Sequence, residues 1–407
     1  MRRYWNVGWT VSSKATVALS SSGVPGGSTA NRSSVSTAEG LVIRRLTSWL
    51  EAEVWRTQWA ELVDRARFSS VFQSYEWNAA WWRAFGEGHA LNLLLCLRGE
   101  TLVGVAPMMV RNATEHARDG EICFIGCLNN ASDYLDFIID GDTPAALDVL
   151  VDALADQIGR MGAIHLSHLP THSPNYQPLL VRLEGIGTRF IVEPHQPAPF
   201  RKLGDAPADR KAANKASLRR RYNYFRKNGE LKFHHCHEEQ EVLGWMDDFF
   251  RQHIERRALT HAASQFLDPR QQAFFRDLVG RLMSSGWLRF DVLLFNGRPL
   301  AFHFGFEYRG RFIWYKPTFD VSFQDRSPGE VLIKFLLDDA IERQLEEFDF
   351  TVGSEPFKYR FANEVRYNDR ITVYRSLSDY WRHRVRLGFS RIKRRLVNLW
   401  QRNSGRG

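Results

Sequence analysis

The chain has 407 residues, 44% hydrophobic and 13% aromatic, with a formal charge of +9. That is enough for two ordinary domains with their own cores, and no apolar run approaches the roughly 20 residues of a membrane span. Nine basic residues and no acid fall in 381–407, while the remaining chain holds 46 basic and 46 acidic residues. The basicity belongs to a tail, so it is no argument for DNA binding.

Residues 1–40 contain the run Ser20-Ser21-Ser22-Gly23-Val24-Pro25-Gly26-Gly27-Ser28 and are predicted to be a disordered segment. Arg2 and Arg3 precede no continuous apolar core, so no cleaved secretory signal is expected. Leu41 to Arg67, carrying Trp49, Trp55 and Trp59, reads as a first helix. Ser74 can cap a second through Phe85, which Gly86 ends. A hairpin follows, Leu91–Leu97 and Leu102–Val110 about the turn Arg98-Gly99-Glu100, then strands at Glu121–Gly126 and Tyr134–Ile139. Thr143-Pro144 opens a helix to Arg160, and Ala163–His168 returns as a strand. The four cysteines are too few for a disulfide framework and fit a reduced, cytosolic setting. Cys123 and Cys127 lie in an apolar run and read as buried thiols.

Between the halves, ten basic residues from Arg201 to Lys227 face only Asp205 and Asp209, on a helix predicted over 206–228. It is either a solvated face or a landing strip for a polyanion or cofactor phosphates. His234-His235-Cys236-His237 resembles a ligand set, but neighbours in a strand face opposite sides, and no metal is expected.

The second half repeats the order of the first. Asp268-Pro269 caps a helix through Leu278. Leu288–Phe295 and Arg298–Tyr308 flank Asn296-Gly297, a strong type I′ hairpin signal. Arg311–Tyr315 is the next strand, Ser327-Pro328 opens a helix to Glu347, and Phe348–Val352 returns. Run for run, this order is a tandem duplication.

Chemistry is expected at two places in this half. Ser327-Pro328-Gly329-Glu330 is a capping-box pattern with Pro at the first helical position. Free amides at such a start attract phosphate, Arg326 adds charge, and Gly329 allows close approach; Glu330 brings an anion of its own. After the last strand comes Gly353-Ser354-Glu355-Pro356-Phe357-Lys358-Tyr359. There Glu355 could take a proton from a nucleophile and Lys358 could stabilise an oxyanion. Tyr359 or Tyr315 could protonate a departing thiolate. The plainer alternative is a surface Glu355–Lys358 ion pair with core tyrosines. His303 interrupts an apolar strand beside the small residues Ala301 and Gly305, as a base or as a core histidine. No Walker loop, G-x-G-x-x-G, H-E-x-x-H or G-x-S-x-G is present.

Several of these runs resemble the GNAT-type acetyltransferases of the CelD class, linked by name to cellulose and exopolysaccharide biosynthesis. They are Phe72-Gln73-Ser74 … Trp77 … Trp81 … Phe85-Gly86, Leu102–Pro107, Arg219-Arg220-Arg221, Ser327-Pro328-Gly329 and Asp349-Phe350 … Gly353-Ser354-Glu355 … Phe357-Lys358. Phe357 stands where a tyrosine is common. The resemblance spans roughly residues 45–375. It implies an α/β (α+β) fold of tandem GNAT-like domains, each a mixed, largely antiparallel sheet flanked by helices, as in Fem-type aminoacyltransferases. It also implies acyl transfer from a thioester, usually acetyl-CoA, to an amine or hydroxyl.

The expected organisation is a disordered segment at 1–40, a first GNAT-like domain at 41–200, a basic linking helix at 201–230, a second, acyl-CoA-binding domain at 231–378, and a tail at 379–407. In that tail Val385, Phe389, Ile392, Leu396, Leu399 and Trp400 fall at helical spacings between Arg and Lys, a pattern suited to an anionic membrane surface. The expectation is a cytoplasmic acyltransferase, peripheral on the inner face of the membrane, acting on a glycan or cell-envelope precursor. The candidate catalytic residues are Glu355, His303, Lys358, Tyr359 and Tyr315, and the acyl-CoA-binding candidates are Arg326, Ser327, Gly329 and Glu330. Its rivals are a tRNA-dependent aminoacyl ligase of the Fem type and a non-catalytic scaffold.

Overall fold

The computed structural model describes residues 40–111, 120–129, 131–260 and 262–388. The segment 1–39 and most of the tail, from 389 on, lie outside the described residues.

The first half runs β1 (Leu41–Leu46), α1 (Trp49–Glu53), α2 (Arg56–Arg65), α3 (Tyr75–Phe85), β2 (Ala90–Arg98), β3 (Thr101–Arg111), β4 (Glu121–Phe124), the two-residue β5 (Ile138–Ile139), α4 (Ala145–Ala155), β6 (Ala163–Pro170), α5 (Tyr176–Gly185) and β7 (Arg189–Lys202). Two short helices follow, α6 (Ala206–Ala213) and α7 (Ala216–Asn228). The second half is β8 (Leu231–Cys236), α8 (Glu239–Ala258), α9 (Pro269–Met283), β9 (Leu288–Phe295), β10 (Arg298–Tyr308), β11 (Arg311–Phe319), α10 (Pro328–Glu342), β12 (Glu347–Asp349), α11 (Pro356–Phe361) and β13 (Glu364–Tyr374).

All the strands share one sheet, ordered β1-β2-β3-β4-β6-β13-β7-β12-β11-β10-β9-β8, with β5 on β3. The pairing is antiparallel except in two places. In the first half β4 runs parallel to β6; in the second β11 runs parallel to β12. Each parallel pair is bridged by a helix, α4 or α10, as a parallel crossover requires. The halves then trade last strands. β7 pairs with β12 of the second half, and β13 inserts between β6 and β7.

Both sheet faces are covered, which explains the nearly unbroken apolar run of β2. Leu93 and Leu95 enter one core; Leu94 and Cys96 enter another on the opposite face. The first core is continuous across both halves, because α3 and α9 pack together. Trp77 and Phe85 meet Phe274 with ring centroids 5.4 and 5.5 Å apart. The opposite face carries two cores, one under α4 and α5 and one under α6, α7 and α10.

Local signals account for most elements. Ser74 accepts from the Trp77 amide at 3.1 Å and starts α3, and Asp268 accepts from Arg270 at 2.9 Å to start α9. Asn296 and Gly297 both take positive φ, 50° and 74°, as a type I′ turn demands. Three expectations are corrected. Leu41–Leu46 is a strand paired to β2 rather than the start of a helix, because Leu41 and Ile43 alternate into the α4 core. The helix expected over 206–228 breaks at Asn214, which caps α6 before Lys215 opens α7. Of the strand expected at Tyr134–Ile139, only Ile138–Ile139 is paired.

Candidate active site

Beyond Asp349 the chain leaves the parallel β11–β12 pair and forms the loop that leads into α11. Gly353, at φ +141°, turns this loop; a Cβ there would lie 2.1 Å from Glu355 Oε2 and 2.6 Å from Lys358 Nζ. Lys358 lies inside the protein, 4% exposed. Its Nζ donates to Val352 O at 2.7 Å and meets Glu355 Oε2 at 3.1 Å. Glu355 presents its other side to solvent, with 55% of its side chain exposed. The pair is therefore not the surface ion pair considered from sequence, because one partner is buried and tied to backbone carbonyls.

The first half meets this region through Ala131 and Asp133. Tyr315 is buried, donates to the Ala131 carbonyl and packs on Phe72, Trp77 and Phe306. Burial and the neighbouring Asp133 hold its phenol well above the usual range. Burial pushes the Asp133 carboxyl upward too, against the pull of Lys316, Lys358 and a hydrogen bond from Thr351. The Lys316 ammonium is pushed down by burial, with Asp133 opposing. The end of α8 adds Arg256, pushed down to about 10 by burial and by Arg257, with Glu355 opposing. Three cations, Arg256, Lys316 and Lys358, thus act on two carboxyls, Asp133 and Glu355, with Asp349 also beside Asp133. Such fixed positive charge suits a developing oxyanion or thiolate.

Behind the loop a buried chain locks the halves together. Tyr134 donates to Asp349 Oδ1 at 2.9 Å, and the Thr351 amide donates to the same oxygen at 2.8 Å. Arg366 meets Asp349 Oδ2 at 3.0 Å and also binds Glu347. Asn368 donates to the Asp133 carbonyl at 2.8 Å.

The start of α10 departs from expectation. Ser327 is left-handed (φ 52°, ψ 58°) and makes no side-chain cap, so the capping box does not form. Glu330 turns away to Arg221 of α7 and Arg360 of α11. Arg326 is exposed and lies over the Tyr224 ring at 4.2 Å. Three cations, Arg221, Arg326 and Arg360, therefore gather with one carboxylate at this helix start. Gly329 keeps the approach open, since a Cβ would meet Phe319 at 3.3 Å. These features fit a diphosphate.

The structure groups Glu355, Lys358 and Tyr315 around Asp133, and Arg326, Ser327, Gly329 and Glu330 at α10. Tyr359 is 44% exposed on α11. His303 is not brought into the site. It is fully buried, its Nδ1 3.0 Å from Asp291, stacked on Trp314 and Phe312. The space beside Gly305 is filled by the imidazole itself, which a Cβ there would meet at 2.3 Å. His303 and Trp314 belong to the α10 face, opposite Tyr315. This is the core histidine alternative, imposed by strand alternation.

Sequence reasoning missed Lys316, Arg256 and Arg257 and did not connect Asp133 to the second half. Lys316 followed an apolar run and looked like its end. Arg256-Arg257 reads as the ordinary cationic last turn of a helix.

Residues 212–359 match the family model of the acetyltransferase (GNAT) domain, a span that runs from α6 into α11 and contains the 353–359 loop and the start of α10 but neither Asp133 nor Arg360. No curated protein matches the chain in sequence. Three solved structures share its fold. FemX has 10% identity, covering 78% of this chain and 95% of its own, at TM-score 0.55. A conserved protein of unknown function from Bacteroides thetaiotaomicron has 13% identity, covering 82% and 99%, at TM-score 0.53. The C-terminal domain of a protein assigned as a lysylphosphatidylglycerol synthetase, from Agrobacterium fabrum, has 13% identity, covering 81% and 93%, at TM-score 0.51. The chain thus has a GNAT-type fold, and residues 212–359, largely its second half, match a GNAT-type acetyltransferase domain.

Proposed function

We propose that the chain moves an acyl group, acetyl in the first instance, from acyl-CoA to an amine or hydroxyl of a polysaccharide or cell-envelope precursor. The observation that carries this reading is the buried Lys358, held beside Glu355 and Asp133 where the chain leaves the parallel β11–β12 pair. The second half, 231–378, would bind the donor and the first, 41–200, would close the site. Arg221, Arg326 and Arg360, with the open approach at Gly329, would hold the diphosphate; the thioester supplies an activated carbonyl.

In the transfer, a bond forms from the acceptor nitrogen or oxygen to the carbonyl carbon and the carbon–sulfur bond breaks. The acceptor's proton passes to Glu355 or Asp133. Lys358 and Lys316 stabilise negative charge on the carbonyl oxygen. Tyr359 is the exposed candidate for returning a proton to the thiolate. Calorimetry with acetyl-CoA, a long-chain acyl-CoA and free CoA at moderate salt tests the donor. Saturable binding that Arg326→Ala weakens supports it, and no binding at any chain length removes it.

A second reading has its own observation. A cavity of about 540 Å³ between α6, α7 and α11 is lined by Arg201, Lys211, Lys215, Arg219 and Arg360, with no carboxylate in its wall. The Lys215 ammonium is pushed down by burial and by Arg201 and Arg360. This suits a polyanion such as an aminoacyl-tRNA donor. Loss of activity on RNase treatment, with no response to CoA, would select it.

No helix among the described residues is long and apolar enough to cross a membrane. On the helix at 377–388, Leu377, Trp381 and Val385 are 49%, 52% and 53% exposed at four-residue spacing, beside Arg382 and Arg384. We read this stripe and the basic tail as a peripheral contact with anionic lipid. Sedimentation with anionic liposomes that survives deletion of 381–407 would remove that role.

A further inference from the structure

The His234–His237 run, set aside at the sequence level because strand neighbours diverge, takes on a different meaning in three dimensions. His234 and Cys236, two apart on β8, share a face. The first turn of α8 folds back over that face and brings Glu241 to it. His234 Nε2 lies 2.5 Å from Glu241 Oε1, the Cys236 thiol also hydrogen-bonds Glu241, and the three ligand atoms all lie within 4.8 Å of one another. His235, on the other face, is spoken for, with its Nδ1 2.9 Å from Asp291.

We propose that His234, Cys236 and Glu241 form a binding site for a borderline divalent transition ion, zinc above all. The set offers one imidazole nitrogen, one thiolate and one carboxylate, the mixture that zinc accepts and that calcium and magnesium do not. Three protein ligands leave a fourth position open, and His234, with 35% of its side chain exposed, gives an ion access from solvent. The carboxylate is already aimed, because its other oxygen accepts from the His237 amide at 3.2 Å, as outer partners orient metal ligands. Binding replaces the Cys236 thiol proton, which goes to solvent, with a sulfur–metal bond. The ion would clip β8, the last strand of the sheet, to the first turn of α8. The same atoms without an ion form a His–Glu pair and a bond from the His237 amide, so the test must read the sulfur.

Cobalt(II) serves as the probe on the full chain. A sulfur-to-cobalt charge-transfer band at one equivalent is expected, displaced by zinc and lost in Cys236→Ser and His234→Gln. It should persist in Cys123→Ser and Cys127→Ser. Zinc at a hundredfold excess over its Kd should raise the melting temperature by roughly 3 °C. Calorimetry of the unmodified chain in two buffers of different ionisation enthalpy should show proton release, which needs no variant to fold. A chain that gives no thiolate band, releases no proton, or keeps its band in Cys236→Ser overturns the proposal.

Discussion

At the scale of single residues, the informative side chains are buried polar groups with fixed partners. The Lys358 Nζ lies inside the protein among oxygens of Val352, Thr351 and Glu355. Lys358→Met removes the charge and leaves two carbonyls without their donor, at a cost of about 1–3 kcal/mol. Activity should fall by about two orders of magnitude or more, while the acyl-CoA binding proposed at α10 should persist. Urea melts and steady-state rates check the two halves of this statement. Asp136 gives a pH signature. Burial pushes it up to about 7, against bonds from Ser173, Phe137 and Asn175. The folded protein therefore keeps a proton that the unfolded chain has released above about pH 4. The cost is absent below that value, grows as pH rises, and is complete above about 7. Relative to Asp136→Asn, the wild type should lose roughly 2–4 kcal/mol between pH 4 and 8. Parallel pH profiles for the two proteins would refute this.

At the scale of elements, legibility followed chemistry that is local in the chain. The Asn296-Gly297 hairpin and the caps at Ser74 and Asp268 were readable because each depends on neighbouring residues alone. β7 was not, because Pro194, Pro197 and Pro199 argue against an interior strand. The structure shows why they are tolerated. Pro197 and Pro199 face the segment beyond β12, where their carbonyls accept from Gly353 and Phe350 at 2.8 and 3.1 Å. Nothing on that side asks these positions for an N–H. The candidate site was half legible for a related reason. The 353–359 loop announces itself, whereas Asp133 joins it only through pairings more than 200 residues apart. The loop makes its own prediction. Gly353→Ala forces a side chain into φ +141° and against the Glu355–Lys358 pair. Turnover should drop at least about tenfold, with backbone strain of about 1–3 kcal/mol and acyl-CoA affinity changed much less. Equal loss of affinity and turnover would place the loop in binding rather than in chemistry.

At the scale of the whole molecule, the two halves repeat one order of elements and share one sheet. β13 fills the gap beside β6, β7 fills the gap beside β12, and one aromatic core runs beneath both. A buried bond from Ser69 to Tyr308 at 3.0 Å and a part-buried one from Gln271 to the Asn129 carbonyl at 3.0 Å stitch the same boundary. Expressed alone, residues 40–202 and 203–388 should each be insoluble or molten. Co-expressed, they should assemble into a 1:1 complex with native-like amide dispersion. A well-folded monomer from either piece would show that the exchange is dispensable.

The exchange also sets a schedule for the ribosome. β6 is complete once Pro170 has emerged, but its partner β13 ends at Tyr374. At elongation rates of about 5–20 residues per second the newborn β6 waits roughly 10–40 s with one edge unpaired. An unpaired edge of that kind recruits strands from other chains. The yield of native protein should therefore depend on what shields that edge during synthesis, and depleting ribosome-associated chaperones from the expression host should lower it more than a comparable slowing of refolding from denaturant.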